Sequence, residues 1–329
     1  MDEPTFSKQR VLITGGLGFI GSALGVRLCE MGAQVMLVDS LIPEYGGNLF
    51  NIAGYEDRLK VNIADVRDEY SMNYLVQGQD YVFNLAGQNS HIDSMRDPYT
   101  DLEINCRAQL SILEACRKHN PAAKLVYAST RQIYGKPDYL PVDERHLLHP
   151  TDVNGINKMA GEWYHILYNN VYGVRAVSLR LTNTYGPRMR VKDARQTFLG
   201  VWIRRLIEEQ PVDVFGDGLQ VRDFNYVDDV LDAMLLCAST EESDGQIYNL
   251  GSDEVINLRD LAALMVELSG AGEYRVVPFP PERKAIDIGD YYSDYRRIRG
   301  KLGWAPKVSL RDGLQRTLDF YRQYHEHYW

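Results

Sequence analysis

The segment TGGLGFIG, residues 14–21, joins a β-rich run, RVLIT at 10–14, to a helical pattern near 20–31. A strand that passes this abruptly into a helix needs a turn with almost no side-chain bulk, which Gly15, Gly18 and Gly21 supply. The same turn lets backbone N–H groups approach a pyrophosphate, whose negative charge the helix N-terminus favours. This one feature already restricts the chain to folds that open with a strand, a glycine turn and a helix.

The rest of the first half repeats that order. Further strands are expected at QVMLVD (34–39), LKVN (59–62), YVFNLA (81–86), KLVYAS (124–129) and VRAVSLR (174–180). Helical patterns fall between them near 67–77, 100–118 and 154–170. Alternation of this kind predicts an α/β, doubly wound parallel sheet covered by helices on both faces, and strands this apolar suit burial on both sides. After Arg180 the pattern loosens. A turn-rich segment leads to a helix near 196–210, a short strand VDVFG, a loop GDGLQVRDFNYVDD, a helix near 228–239 and a strand QIYNLG. The division expected is residues 1–180 as one domain, with 225–251 returning to it, and 181–329 mainly as a smaller lobe, the ligand lying between them.

Composition narrows the partners. The 329 residues are 45% hydrophobic and 25% charged, as in a soluble globular protein, and the formal net charge of -9 argues against nucleic acid or an anionic membrane. The longest apolar runs are far too short to span a bilayer, and MDEPTFSKQR lacks the apolar core of a signal peptide. The four cysteines are scattered without a C-x-x-C pair, so neither a disulfide framework nor a zinc site is expected, and a cytoplasmic location is the simplest. His325 and His327 near the C-terminus fit a solvated helix end as well as a metal pair, and no metal is expected.

Asp39 closes the second strand, eighteen residues beyond Gly21. A carboxylate there accepts from the adenosine ribose hydroxyls and repels a 2′-phosphate, and the loop SLIPEYGGN offers no arginine to receive one. The expected cofactor is therefore NAD rather than NADP. Asp65 follows the third strand and suits either the adenine amino group or a helix N-cap.

Later landmarks fall in a recognisable order: NLAGQ (84–88), STRQIYG (129–135), NGINK (154–158), LRLTNTYGPR (179–188), VRDFNYVDD (221–229) and LGW-x-P (302–306). With TGGLGFIG they resemble the extended short-chain dehydrogenase/reductase family of nucleotide-sugar epimerases, dehydratases and decarboxylases, over nearly the whole chain. The resemblance implies a Rossmann-type sheet with a C-terminal substrate-binding lobe, a tightly held NAD, a nucleoside-diphosphate sugar substrate and a homodimer. It places Phe19, Ile20 and Ser40 at the cofactor, together with Val66, Leu85, Ala86 and Gly87. It assigns Thr130 to the reacting sugar hydroxyl and Lys158 to the nicotinamide ribose. Asn183 falls to the substrate diphosphate and Arg222 to that diphosphate or its nucleoside ribose, Arg222 alternatively to a salt bridge with Asp223 or Asp228. In KAIDIGDYYSD, Lys284 stands where an arginine is usual, Asp287 would accept from a ribose hydroxyl, and Tyr291 would influence which sugars fit.

Two departures bear on the reaction. Dehydratases carry an Asp-Glu pair after the threonine, and decarboxylases a glutamate nearby, where this chain has Arg131 and Gln132, neither of which exchanges protons near neutral pH. Arg131 suits an acidic or polar sugar, or a structural ion pair. The second departure is Asn154, four residues before Lys158, where the family's tyrosine acid/base belongs. His91 is the leading replacement base, ahead of Tyr134, Asp93 and Asp152, with a satisfied structural histidine as the alternative reading. The reading is a UDP-glucose 4-epimerase-like enzyme that oxidises the sugar transiently to a keto form, with a different base. The alternatives are a dehydratase, decarboxylase or 4-oxidase of the same family, and a non-catalytic NAD- and nucleotide-sugar-binding protein. Val153, Ile156, Ala160, Trp163 and Leu167 form an apolar stripe on the helix at 154–170, expected mostly to pack on the sheet. The resemblance suggests in addition that this helix and the one near 100–118 build a four-helix dimer interface.

Overall fold

Seven strands form one parallel sheet: β1 (Arg10–Thr14), β2 (Gln34–Asp39), β3 (Lys60–Ile63), β4 (Tyr81–Asn84), β5 (Lys124–Thr130), β6 (Ala176–Leu181) and, after three intervening strands described below, Ile247–Asn249. Their spatial order is β3-β2-β1-β4-β5-β6 followed by Ile247–Asn249, so the winding reverses between β1 and β4. That reversal opens a crevice at the carboxyl ends of the strands, where doubly wound sheets bind ligands. The computed structural model describes residues 6–195 and 197–329.

The register puts Thr14 beside Val38 on one side and Asn84 on the other. The Thr14 hydroxyl donates to Asn84 Oδ1 (2.9 Å) and accepts from the Leu85 and Ala86 amides (3.1 Å each), which ties the glycine turn to the end of β4. Leu12, Ile13, Val82, Phe83, Leu125, Val126 and Val177 are fully buried, so the sheet is apolar on both faces. The helix Phe19–Glu30 follows the glycine turn with no side-chain cap, leaving its first amides unclaimed by a capping side chain.

Beyond β6 come β7 (Asn183–Tyr185), β8 (Val212–Phe215), β9 (Val221–Tyr226), β10 (Ile247–Asn249), β11 (Val255–Asn257) and β12 (Tyr274–Val277). β9 lies between β7 and β11 in a three-stranded sheet, and β8 pairs with β12. The segment expected as a loop, GDGLQVRDFNYVDD, thus contains β9. Its buried polar residues (Arg222, Asp223, Asn225) break the apolar pattern expected of a buried strand, and tertiary pairing supplies the strand instead. The sequence LGW-x-P acts as a clasp: Trp304 Nε1 donates to Asp229 O (2.9 Å), and the Asp229 carboxylate accepts from the Lys307 and Val308 amides (2.9 and 3.2 Å). The His327 ring stacks on Phe50 at 3.6 Å.

Two helical expectations change. The single helix expected near 100–118 is broken into Pro98–Leu102, a π-helical turn Glu103–Arg107 and Ala108–His119. The helix Val153–Tyr172 is capped by Asp152 at its start and by left-handed Gly173 at its end, but its apolar stripe does not pack on the sheet. Ile156, Trp163 and Leu167 are exposed, while Asn154, Asn157, Lys158, Glu162 and His165 face inward. The polar residues win the interior because they satisfy one another there: Glu162 holds Arg180 in a buried two-pronged pair (2.6 and 3.0 Å), and Asn154 and Asn157 hold Asp101. Among the described residues, no helix is long and apolar enough to cross a membrane.

Candidate functional site

A cavity of about 840 Å³ runs along the carboxyl ends of the strands, from the glycine turn to the lobe beyond β6. At its first end, Gly15, Gly18, Phe19, Ile20 and Gly21 form the floor, with Asp39, Ser40, Asp65 and Val66 on one side and Leu85, Ala86 and Gly87 on the other. The glycines are needed sterically. A Cβ on Gly21 would lie 2.2 Å from Gly15 O, and Gly15 itself has φ +66° with Leu85 and Ala86 backbone 3.0 Å from where its Cβ would be. A Cβ on Gly87 would lie 2.8 Å from Lys158 Nζ and 3.0 Å from Asn105 Oδ1. A thin, elongated group that must pass close to backbone fits this cradle.

Asp39 points into it. Its carboxylate accepts from the Leu17 and Leu41 amides (3.1 and 3.0 Å), and burial pushes its carboxyl upward despite those bonds. Asp65 is bound by its own neighbour: Arg67 grips it with two prongs (3.0 and 2.6 Å) and holds it below the ordinary carboxylate range. The cap of the following helix is Asp68, which accepts from the Tyr70 amide at 3.1 Å.

In the middle of the cavity stand Thr130, at the end of β5, and Lys158, on the helix Val153–Tyr172. Lys158 Nζ donates to Ala128 O (3.2 Å) and sits 5.2 Å from the Tyr127 ring centroid. Burial draws its pKa down to about 8, with Asp101 opposing. Asn154 also lines the cavity, but its amide is committed: Nδ2 donates to Gln88 O (2.7 Å) and Asp101 Oδ2 (3.0 Å). Asp101 is fully buried and takes further amides from Asn105 (3.0 Å) and Asn157 (2.8 Å). Asn154 is one of three asparagines that hold a single buried carboxylate in place. Sequence reasoning passed over Asp101, Asn105 and Gln88. The available signal was the i, i+4 pair Asp101 and Asn105 on an otherwise buried face.

His91 lies on the same wall, half-exposed, with Nδ1 2.9 Å from Oδ2 of the buried Asp152. Asp152 is also the cap of the Lys158 helix, accepting from the Gly155 amide (2.7 Å), and Gln132 Nε2 donates to it (2.9 Å). Burial raises the Asp152 carboxyl, but His91, Gly155 and Gln132 outweigh it and hold it below the usual range. Two other base candidates are engaged elsewhere. Tyr134 is fully buried, with its hydroxyl between Arg180 (2.5 Å) and Asn249 (2.7 Å), and burial pushes it well above the usual phenol range. Asp93 pairs with Arg195 at 3.2 Å.

At the far end, Arg131, Asn183, Arg222 and Asp287 line the cavity. Arg222 donates to Val221 O (2.8 Å) and to Gly289 O, and lies 3.6 Å from Asp287, which replaces the partners Asp223 and Asp228 considered from sequence. Burial pulls its pKa down to about 10, and Arg131 adds to that. Lys284 is exposed and off the wall, whereas Arg283 is on it, 5.8 Å from the Phe215 ring centroid. Tyr291 is buried behind the wall, with Arg131 5.1 Å from its ring centroid. Phe215 and Phe279, which sequence reasoning did not single out, face each other at 5.7 Å on the same stretch of wall.

Residues 11–251 match the profile of the NAD dependent epimerase/dehydratase family. The chain belongs to that family. It is 31% identical over 318 residues to the UDP-glucose 4-epimerase of Mycolicibacterium smegmatis, covering 95% of this chain and 99% of that protein. Among solved structures it resembles the UDP-glucose 4-epimerase of Thermotoga maritima with UDP-glucose (TM-score 0.87, 32% identity, 96% and 99% of the two chains). It is equally close in fold to a dTDP-glucose 4,6-dehydratase of Streptomyces venezuelae with NAD bound (TM-score 0.87, 26% identity, 97% and 98%). The family's cofactor is NAD, and the glycine cradle with Asp39 beyond it fits a dinucleotide on steric and hydrogen-bonding grounds.

Proposed function

We propose that this family member is a nucleotide-sugar 4-epimerase of the UDP-glucose 4-epimerase type, in which His91, backed by Asp152, does the work of the absent phenol. The observation that carries this reading is the 2.9 Å approach of His91 Nδ1 to Asp152 on the wall that also presents Thr130 and Lys158. The Asp152 carboxylate beside Nδ1 would stabilise the imidazolium formed when His91 takes the sugar hydroxyl proton on Nε2. Thr130 Oγ1 accepts from the Gln132 amide (3.2 Å), which leaves its hydroxyl hydrogen to donate to the sugar. Lys158 orients the cofactor ribose, and its charge favours removal of a proton nearby. NAD, when bound, supplies the oxidant and then the reductant of the cycle. The proton returns from His91 to the oxygen of the inverted product.

Dehydration is the weaker reading, because Gln132, in the place of a proton-carrying glutamate, serves as a brace for Asp152. The exposed Ile156, Trp163 and Leu167, with Tyr99 and Leu102 also exposed, support a homodimer face on the two helices that carry them. The test is incubation of the NAD-loaded protein with UDP-glucose and UDP-galactose, with chromatography of the products. Interconversion is expected, and His91→Ala should slow it by roughly 10²–10⁴-fold with bound NAD retained. A near-normal rate in that variant removes His91 as the base. Binding of both sugars without turnover supports a sensor instead.

A further inference from the structure

Arg131 occupies the cavity wall one residue after Thr130 and has no counter-charge of its own. Its Nη2 donates to Asn183 Oδ1 (3.0 Å), while its Nη1 is buried without a hydrogen-bond partner. Among the described residues no carboxylate forms an ion pair with it. The two nearest acids are committed elsewhere. Asp223 receives the Thr182 hydroxyl and the Ser293 amide (3.0 Å), and Asp287 receives Gln220 (2.8 Å) and the Gly289 amide (3.1 Å) and faces Arg222. Tyr291 supports the guanidinium from behind, 5.1 Å from ring centroid to Cζ, so the group is fixed in direction. Burial draws its pKa below the ordinary guanidinium value, with Tyr291, Asp223 and Asp287 opposing.

A buried, oriented guanidinium with an idle N–H is costly unless an oxyanion completes it. Resting on the nucleotide-sugar reading above, we infer that Arg131 binds a carboxylate carried by the sugar itself, so that nucleoside-diphosphate uronic acids are bound in preference to the neutral hexoses, which the site also accepts. A diphosphate is the other oxyanion such a substrate carries, and Arg222 and Asn183, which line the same end of the cavity, are the groups already assigned to it. Arg131, by contrast, follows directly on the residue that meets the reacting hydroxyl. A planar two-pronged donor also matches a carboxylate better than a lone hydroxyl does.

The NAD-loaded protein is titrated calorimetrically with UDP, UDP-glucose, UDP-glucuronate and the methyl ester of UDP-glucuronate. UDP-glucuronate should bind about tenfold or more tightly than UDP-glucose, and esterification should remove that advantage in the unmodified protein. Arg131→Met should collapse the uronate-to-glucose affinity ratio toward one, and Arg131→Lys should restore part of it. Equal affinity for the two sugars in the unmodified protein overturns the inference. So does an Arg131→Met loss shared equally by UDP and both sugars, which would assign the guanidinium to the diphosphate. If UDP itself fails to bind, the nucleotide-sugar reading falls and takes this inference with it. The ester comparison needs no substitution, so a poorly folded variant leaves the question answerable.

Discussion

The two ends of the cavity are built from different materials. The dinucleotide end is made of backbone: glycines that leave no room for a Cβ, unclaimed amides at a helix start, and one carboxylate, Asp39, fixed by the Leu17 and Leu41 amides. The sugar end is made of side-chain charge: Lys158, Arg131 and Arg222, the His91–Asp152 pair, and Asp101 under three asparagines. Backbone cradles depend on steric exclusion and tolerate no added atoms. Charge clusters depend on partners and can be rewired, so side chains at that end can change while the cofactor cradle is kept.

The comparison breaks most sharply at Gly21. Gly21→Ala puts a methyl group 2.2 Å from Gly15 O, so loss of copurifying NAD is expected, with a stability loss of about 1–3 kcal/mol, read by mass spectrometry and thermal denaturation. Retained NAD would mean that the turn can shift and the cradle is not steric.

The next largest effect is the pH response of Lys158. Its pKa of about 8 predicts that turnover falls about tenfold per pH unit above that value, as the cation is lost. Stability should move the opposite way. Between about 8 and the ordinary lysine value of 10.5, the unfolded chain keeps this proton and the folded one does not, so this residue's contribution rises with pH. Rates and melting temperatures that fell together would point to alkaline unfolding instead.

A smaller effect is expected at Asn154. Restoring the family's tyrosine by Asn154→Tyr removes the amide that bonds Gln88 O and Asp101, so a loss of about 1–3 kcal/mol and no gain in epimerase rate are expected. A gain in rate would show that the asparagine brace is dispensable. The smallest effect is at Asp65, whose charge is already taken up by Arg67 at a half-exposed site. Asp65→Asn should weaken NAD binding by less than about threefold. A loss above tenfold would make Asp65 a direct adenine partner.

How far each part was legible follows from the same contrast. The glycine turn, the alternation of strands and helices and the position of Asp39 could be read directly, because local sterics and spacing fix them whatever surrounds them, whereas Thr130 and Lys158 stand out only through the family resemblance. The stripe on the helix Val153–Tyr172 was misleading: its apolar residues face outward, because the polar set from Asn154 to His165 finds buried partners on other elements. Periodicity reports that a helix has two faces but not which one the interior can satisfy. β9 was hidden for a related reason, its strand conformation depending on pairing with β7 and β11.

By itself, then, the sequence determined the doubly wound sheet, the dinucleotide cradle and the position of the helix that carries Lys158, since these rest on residues close together in the chain. Only the tertiary structure decided what the unusual residues are for. Asn154 proves to be bound to Asp101, fifty-three positions away, Asp152 meets His91 from the base of another helix, and Arg131 meets Asn183 but forms no ion pair with an acid among the described residues. A charge's role is set by what neutralises it, and in this protein those partners come from distant parts of the chain.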